Sequence, residues 1–184
     1  ILLRSSQDIS VDANIQATLG DMGLIAARNV NQQANLTAGR DVFVDAGGNH
    51  VMAGGTQIVS REDILINAGG NITLGLLESP DLVALAAGGD ILDGNGALTN
   101  LRTNGLRRTA GGTIGQIATD LDLEVGTVAA EAKTGMFLRE LAVGGQLIVG
   151  HVLETAVEIN VADVEFRSTT QATLANRTLA AMDD

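Results

Sequence analysis

Cysteine, tryptophan and tyrosine do not occur in this chain of 184 residues, and proline and lysine occur once each, as Pro80 and Lys133. Without cysteine there is no disulfide framework and no thiolate zinc site. Phosphate-backbone binding needs clustered cations, and a chain of formal net charge −11 with one lysine is a poor match for it, so nucleic acid is not an expected partner. Aromatics are limited to Phe43, Phe137 and Phe166, and the core must therefore come from Ile, Leu, Val and Ala in thin layers. A single proline leaves almost every backbone N–H free for strand pairing. No apolar run approaches membrane-spanning length, and Ile1-Leu2-Leu3, stopped by Arg4, is too short for a signal-peptide core. The chain starts without Met and reads as an excerpt or processed piece of something longer.

Glycine is abundant, at 23 residues, and much of it is patterned. The stretch Asp63-Ile64-Leu65-Ile66-Asn67-Ala68-Gly69-Gly70-Asn71-Ile72-Thr73-Leu74 reads as two short strands hinged on a Gly-Gly-Asn corner. The corner recurs at Gly47-Gly48-Asn49, Gly88-Gly89-Asp90, Gly111-Gly112-Thr113 and Gly144-Gly145-Gln146, with a degenerate copy at Gly39-Arg40-Asp41. Glycine reaches positive φ without a Cβ clash and Asn or Asp bonds its own backbone, which predicts a sharp turn at each copy. Apolar residues then alternate, as in Val42 and Val44, Ile64 and Ile66, and Ile72 and Leu74, placing them on one face of a strand. The dominant interval between corners is roughly twenty residues, the length of a solenoid rung that buries its apolar face only against stacked neighbours.

These patterns predict an all-β chain, a parallel β-helix (β-solenoid) of about eight or nine rungs over residues 1–167. Residues 8 to 19 alternate cleanly, and Val51 to Val59 reads as a strand pair turning at Gly54-Gly55. Leu76 to Pro80 is expected to leave the wall as a loop, and Asp93 to Arg108, the least periodic segment, to protrude as another. Val157, Ile159 and Val161 alternate again. Ala172, Ala175, Leu179 and Met182 have helical spacing, so 168–184 is read as a C-terminal capping helix, with a further strand or a disordered tail as alternatives.

From Gly112 a family resemblance is readable. Gly112-Thr113-Ile114-Gly115, Leu121 to Ala130, Gly135 to Glu140 and Leu147-Ile148-Val149-Gly150, with the earlier Gly-Gly-Asn/Asp copies, resemble the repeats of filamentous haemagglutinin-type giant bacterial surface proteins over roughly residues 38 to 153. The resemblance implies a right-handed helix, secretion to the bacterial cell surface, and an adhesive or matrix role. It brings no catalytic residues to carry over. The expected function is a structural or adhesive segment, not an enzyme, that stacks end to end and meets a host or environmental glycan or protein surface.

Several constellations carry alternatives. Asp120, Asp122 and Glu124 project from one face of a strand at about 7 Å intervals, which suits glycoside hydrolysis or lysis of a polysaccharide, or loose calcium binding; the plainer reading is the solvated face of a wall strand. Asp90, Asp93 and Asn95 offer oxygen ligands around flexible glycines, so a calcium-stabilised spacer is a further alternative, against a plain turn. Calcium is the one cofactor considered. His50 and His151 are read as surface or strand-end residues. Arg102, Arg107 and Arg108 form a cationic group suited to an anionic glycan or a carboxylate, or simply to a solvated loop. Asn67 and Asn71 are candidates for an internal amide ladder between rungs.

Overall fold

The computed structural model describes residues 1–142 and 147–150 and the backbone of 165–167. Every regular element among them is a β-strand, and the strands wind into a parallel β-solenoid. The first rung is β1 (Leu2–Ser5), β2 (Ile9–Val11) and β3 (Ile15–Ala17), and the second is β4 (Met22–Ala26), β5 (Val30–Gln32) and β6 (Leu36–Ala38). The third is β7 (Val42–Ala46), β8 (His50–Met52) and β9 (Gln57–Val59), and the fourth β10 (Ile64–Ala68), β11 (Ile72–Leu74) and β12 (Leu76–Glu78). The fifth opens with β13 (Leu82–Ala87) and β14 (Ile91–Asp93). The ten-residue strand β15 (Leu101–Ala110) then closes the fifth rung and opens the sixth, pairing with β12 through Leu101 and with β13 through Gly105 to Ala110. After β16 (Thr113–Ile114), β17 (Leu121–Ala132) turns the next corner in the same way, and β18 (Gly135–Met136) and β19 (Leu138–Glu140) complete the seventh rung. β20 (Ile148–Val149) pairs with the second half of β17.

The stack thus has three faces. Face one runs from β1 through β4, β7, β10 and β13 to the later halves of β15 and β17; face two is the seven-stranded sheet from β2 to β18; face three runs from β3 to β19. Among the described residues seven turns stand, at roughly twenty residues each as the corner spacing predicts, and β20 lies on the next one; the expectation of eight or nine over residues 1–167 extends beyond the described residues. Gly39 lies at the corner from face three to face one, whereas Gly47, Gly69, Gly88 and Gly111 lie at the corner from face one to face two, so the glycine corners belong to two different positions in the turn. The register advances by 21 residues from Leu2 to Gly23, by 19 from Ile64 to Val83 and by 23 from Val83 to Leu106.

Side chains pointing into the lumen stack in columns. On face one, Met22, Val42, Ile64, Val83, Leu106 and Val128 form one buried column, and Ala26, Ala46, Ala68, Ala87 and Ala110 form another beside the corner. Leu36, Ile58, Leu77, Leu101 and Leu123 do the same on face three. Removing such aliphatic side chains from water is the main stabilising term, and each rung is buried only because the next one covers it.

Two predicted loops belong to the wall. Leu76 to Glu78 is β12, with Leu77 fully buried, and the chain leaves the wall only at Ser79 and Pro80. Of Asp93 to Arg108, only the part between β14 and β15 is a loop; the glycines and paired arginines disguise a strand whose partners are already laid down by rungs four and five. The strand pair around Gly54-Gly55 is present as β8 and β9, with Gly55 at φ 80°. β21 (Glu165–Arg167) lies parallel to β1, with Leu3 opposite Phe166, at the outer edge of face one. The corner at 144–145, the alternation at 157–161, His151 and the candidate capping helix at 168–184 fall outside the described residues.

Candidate functional site

The Gly-Gly corners work differently from the turn expected of them. Among the described glycines only Gly55, Gly96 and Gly115 have positive φ, and none belongs to the repeated pair. The pair is required by close approach. A Cβ on Gly69, Gly88 or Gly111 would collide with the carbonyl oxygen of Gly47, Gly69 or Gly88 on the preceding rung, and one on Gly70, Gly89 or Gly112 with the side-chain oxygen of Asn49, Asn71 or Asp90. Rungs one and two make the same corner with Ser6-Gln7-Asp8 and Ala27-Arg28-Asn29, so the repeat extends to the first residues although the glycine motif does not.

That side-chain oxygen links the rungs. The Asn29 N–H donates to Asp8 Oδ1 (2.9 Å), the Asn49 N–H to Asn29 Oδ1 (2.9 Å) and the Asn71 N–H to Asn49 Oδ1 (2.8 Å). The Asp90 N–H donates to Asn71 Oδ1 (2.8 Å) and the Thr113 N–H to Asp90 Oδ1 (2.7 Å). The other corners carry shorter versions. The Asn35 N–H reaches Asn14 Oδ1 (2.9 Å) and the Gln57 N–H reaches Asn35 Oδ1 (3.1 Å); the Asp63 N–H reaches Asp41 Oδ1 (3.0 Å) and the Leu82 N–H reaches Asp63 Oδ1 (3.0 Å). Each bond satisfies a corner N–H that the strand ladders leave unpaired. Asn71 is in a ladder as expected, but at a corner; Asn67 lies in the outward column with Asp45 and Ala86 and takes no part. The wider ladder was legible as Asx residues recurring at 8, 29, 49, 71 and 90.

The acidic strand is β17. Asp122 is fully buried and accepts two bonds from Arg139, Nε to Oδ1 at 2.6 Å and Nη2 to Oδ2 at 2.7 Å, which hold the Arg139 guanidinium above its ordinary range. Glu124 accepts from Arg102 Nε (3.0 Å) and Nη2 (3.1 Å) and from Thr99 Oγ1 (2.7 Å), and these hydrogen bonds lower its carboxyl. Arg102 Nη1 donates to Glu78 Oε2 at 2.9 Å, so Glu78, Arg102 and Glu124 alternate in charge across three rungs, in register. They line an open cleft of about 510 Å³ with Ser79, Thr103 and Asn104. With two carboxylates on one guanidinium the cleft carries no surplus cation for an anionic glycan. Asp120 stands beside this strand, half-buried.

Asp90, Asp93 and Asn95 have local duties. Asp90 serves the corner ladder, while Asp93 Oδ1 accepts from the N–H groups of Asn95 (2.7 Å) and Gly96 (3.1 Å) and from Asn100 Nδ2 (2.8 Å). Asn95 Oδ1 accepts the Gly55 N–H at 2.9 Å, fastening the loop of rung five to that of rung three. Among the described residues no three His, Cys, Asp or Glu side chains gather as metal ligands.

His50 and Arg108 are both in the lumen. His50, read as a surface or strand-end residue, is the first residue of β8, but it is fully buried between Val30 and Ile72 in the column that continues to Ile91 and Ile114, and neither ring nitrogen has a hydrogen-bond partner among the described residues. Burial lowers its pKa to about 4. Arg108 occupies the inward position of β15, 1% exposed, while its neighbour Arg107 points outward. Simple alternation from Leu106 places Arg108 inside, but its charge argued for solvent, and charge does not override a register fixed by strands on both sides. No family model, curated protein or solved structure matches the chain.

Proposed function

We propose that the chain is a structural and adhesive segment of a secreted bacterial surface protein or extracellular filament, a stiff spacer that presents corner loops. The observation that carries this reading is how the polar side chains are used. Many of those with the chemistry for catalysis or metal binding hold one rung on the next: the corner ladders, the Glu78-Arg102-Glu124 row and the Asp122–Arg139 pair. The resemblance to filamentous haemagglutinin-type repeats supports the same reading. So do Leu98 and Ile117, which stand 62% and 84% exposed on the corner loops of adjacent rungs, where an adhesive surface would be offered.

The reading is tested by coating beads with the chain and presenting polysaccharide and protein matrices, with released reducing ends and unsaturated uronate measured in parallel. Retention without cleavage is expected. Glycan cleavage that disappears in Glu124→Gln would replace the adhesive reading with the polysaccharide lyase or hydrolase.

A further inference from the structure

We infer that the solenoid lumen holds a small monovalent anion of the halide class, bound against the guanidinium of Arg108. The inference rests on observations independent of the adhesive reading. Arg108 lies in the column Leu24, Val44, Ile66, Leu85, Arg108 and Ala130, otherwise aliphatic throughout. Nε, Nη1 and Nη2 are all buried and none has a hydrogen-bond partner among the described residues. An isolated cation in such surroundings is costly, and the interior of a folded protein accepts one when it is paired.

Arginine does not escape this cost by losing its proton. Burial lowers its pKa to about 9, still above neutral pH, so the group stays charged. Tilting outward is also closed to it, because Leu85 and Ala130 on the flanking rungs fix its register.

The surroundings select the class of ion. One positive charge calls for one negative charge. An apolar lumen penalises a strongly hydrated or multivalent ion such as phosphate or sulfate far more than chloride or bromide, whose dehydration costs less. Size points the same way. Where earlier rungs of this column place leucine, isoleucine or valine, rung seven places Ala130, and Ala87, Ala110 and Ala132 stack in the next column. Alanine in place of leucine or valine puts less bulk beside the guanidinium, a difference on the scale of an ion and not of a sugar or a peptide. Five N–H donors in a rigid fork suit a spherical acceptor in their plane.

Two measurements test the assignment. In crystals of the chain grown in sodium bromide, an anomalous peak is expected within hydrogen-bonding reach of the Arg108 guanidinium. A guanidinium paired instead with a carboxylate of the chain, or no peak beside it, overturns the proposal. In solution, replacing about 150 mM sodium gluconate by about 150 mM sodium chloride should raise the melting temperature by about 4 °C if the site half-fills near 20 mM, by mass action on the folded state. Arg108→Leu, which restores the aliphatic column, should melt higher than the parent in gluconate and lose the chloride response; Arg108→Met provides the same comparison if leucine packs poorly. An equal chloride response in parent and variant overturns the site, since the effect would then be general to the surface.

Discussion

His50 shows what a single lumenal residue does to the whole chain. Its imidazole is neutral because protonation would place a charge in the lumen between Val30 and Ile72 with no hydrogen-bond partner among the described residues, and burial lowers its pKa to about 4 from an ordinary 6.5. Between those values the unfolded chain holds a proton that the folded chain refuses. Stability from this group is therefore complete above pH 6.5 and declines as the pH falls toward 4, by about 2 kcal/mol at pH 5. His50→Ile continues the column of Val30, Ile72 and Ile91, and its advantage over the parent in urea unfolding should widen by about that amount between pH 7.5 and pH 5. An advantage independent of pH would show that His50 does not charge on unfolding in this range. The sequence displayed His50 beside a glycine-rich corner, and that position suggested solvent. Corner and lumen are adjacent in a rung, and the first residue past this corner is the one that turns inward.

At the scale of the element, the corner joins two features that the sequence presents separately. Glycine at position 89 makes room for the Asn71 oxygen, and that oxygen accepts the Asp90 N–H. Gly89→Ala should cost about 2 kcal/mol by overpacking, and Asn71→Ala about 1–2 kcal/mol by leaving the N–H without its acceptor. Together they should cost less than their sum by about 1 kcal/mol, because the shortened side chain no longer meets the new methyl. Simple additivity in a denaturant double-mutant cycle would mean that the glycine makes room for the backbone alone. The glycine pairs were legible in the sequence, but their reason was not, since a glycine chosen for positive φ and one chosen for close approach look identical until the neighbouring rung is in place.

At the scale of the molecule, a parallel stack ends in strand edges that can pair again. The edge of β1 is occupied by β21 of the same chain, whereas β2 and β3 carry no further strand on that side among the described residues. End-to-end association therefore has to compete with β21. Phe166→Pro introduces a residue that cannot donate to a ladder, directly opposite Leu3, and should expose the β1 edge. Sedimentation velocity should then show larger, concentration-dependent species than the parent gives. Unchanged sedimentation would exclude the β1 edge as the associating surface.

The sequence by itself determined the class of fold and most of the core. Alternation of apolar residues and a corner every twenty or so residues leave few ways to bury thin aliphatic layers other than stacking them, and Val42, Val44, Ile64 and Ile66 are in the lumen as their spacing requires. Only the tertiary structure decided which corner each glycine occupies, the strand hidden in residues 101–110, and the partners of each charge. Asp122 and Arg139 are 17 residues apart and Arg102 and Glu124 are 22 apart, and neither spacing means anything until the rung length at that point is known. A strand's periodicity is local and survives in the sequence. Register between rungs depends on how many residues each corner consumes, and this varies along the chain, so contacts across rungs, buried ones such as those around Arg108 included, are set only when the stack closes.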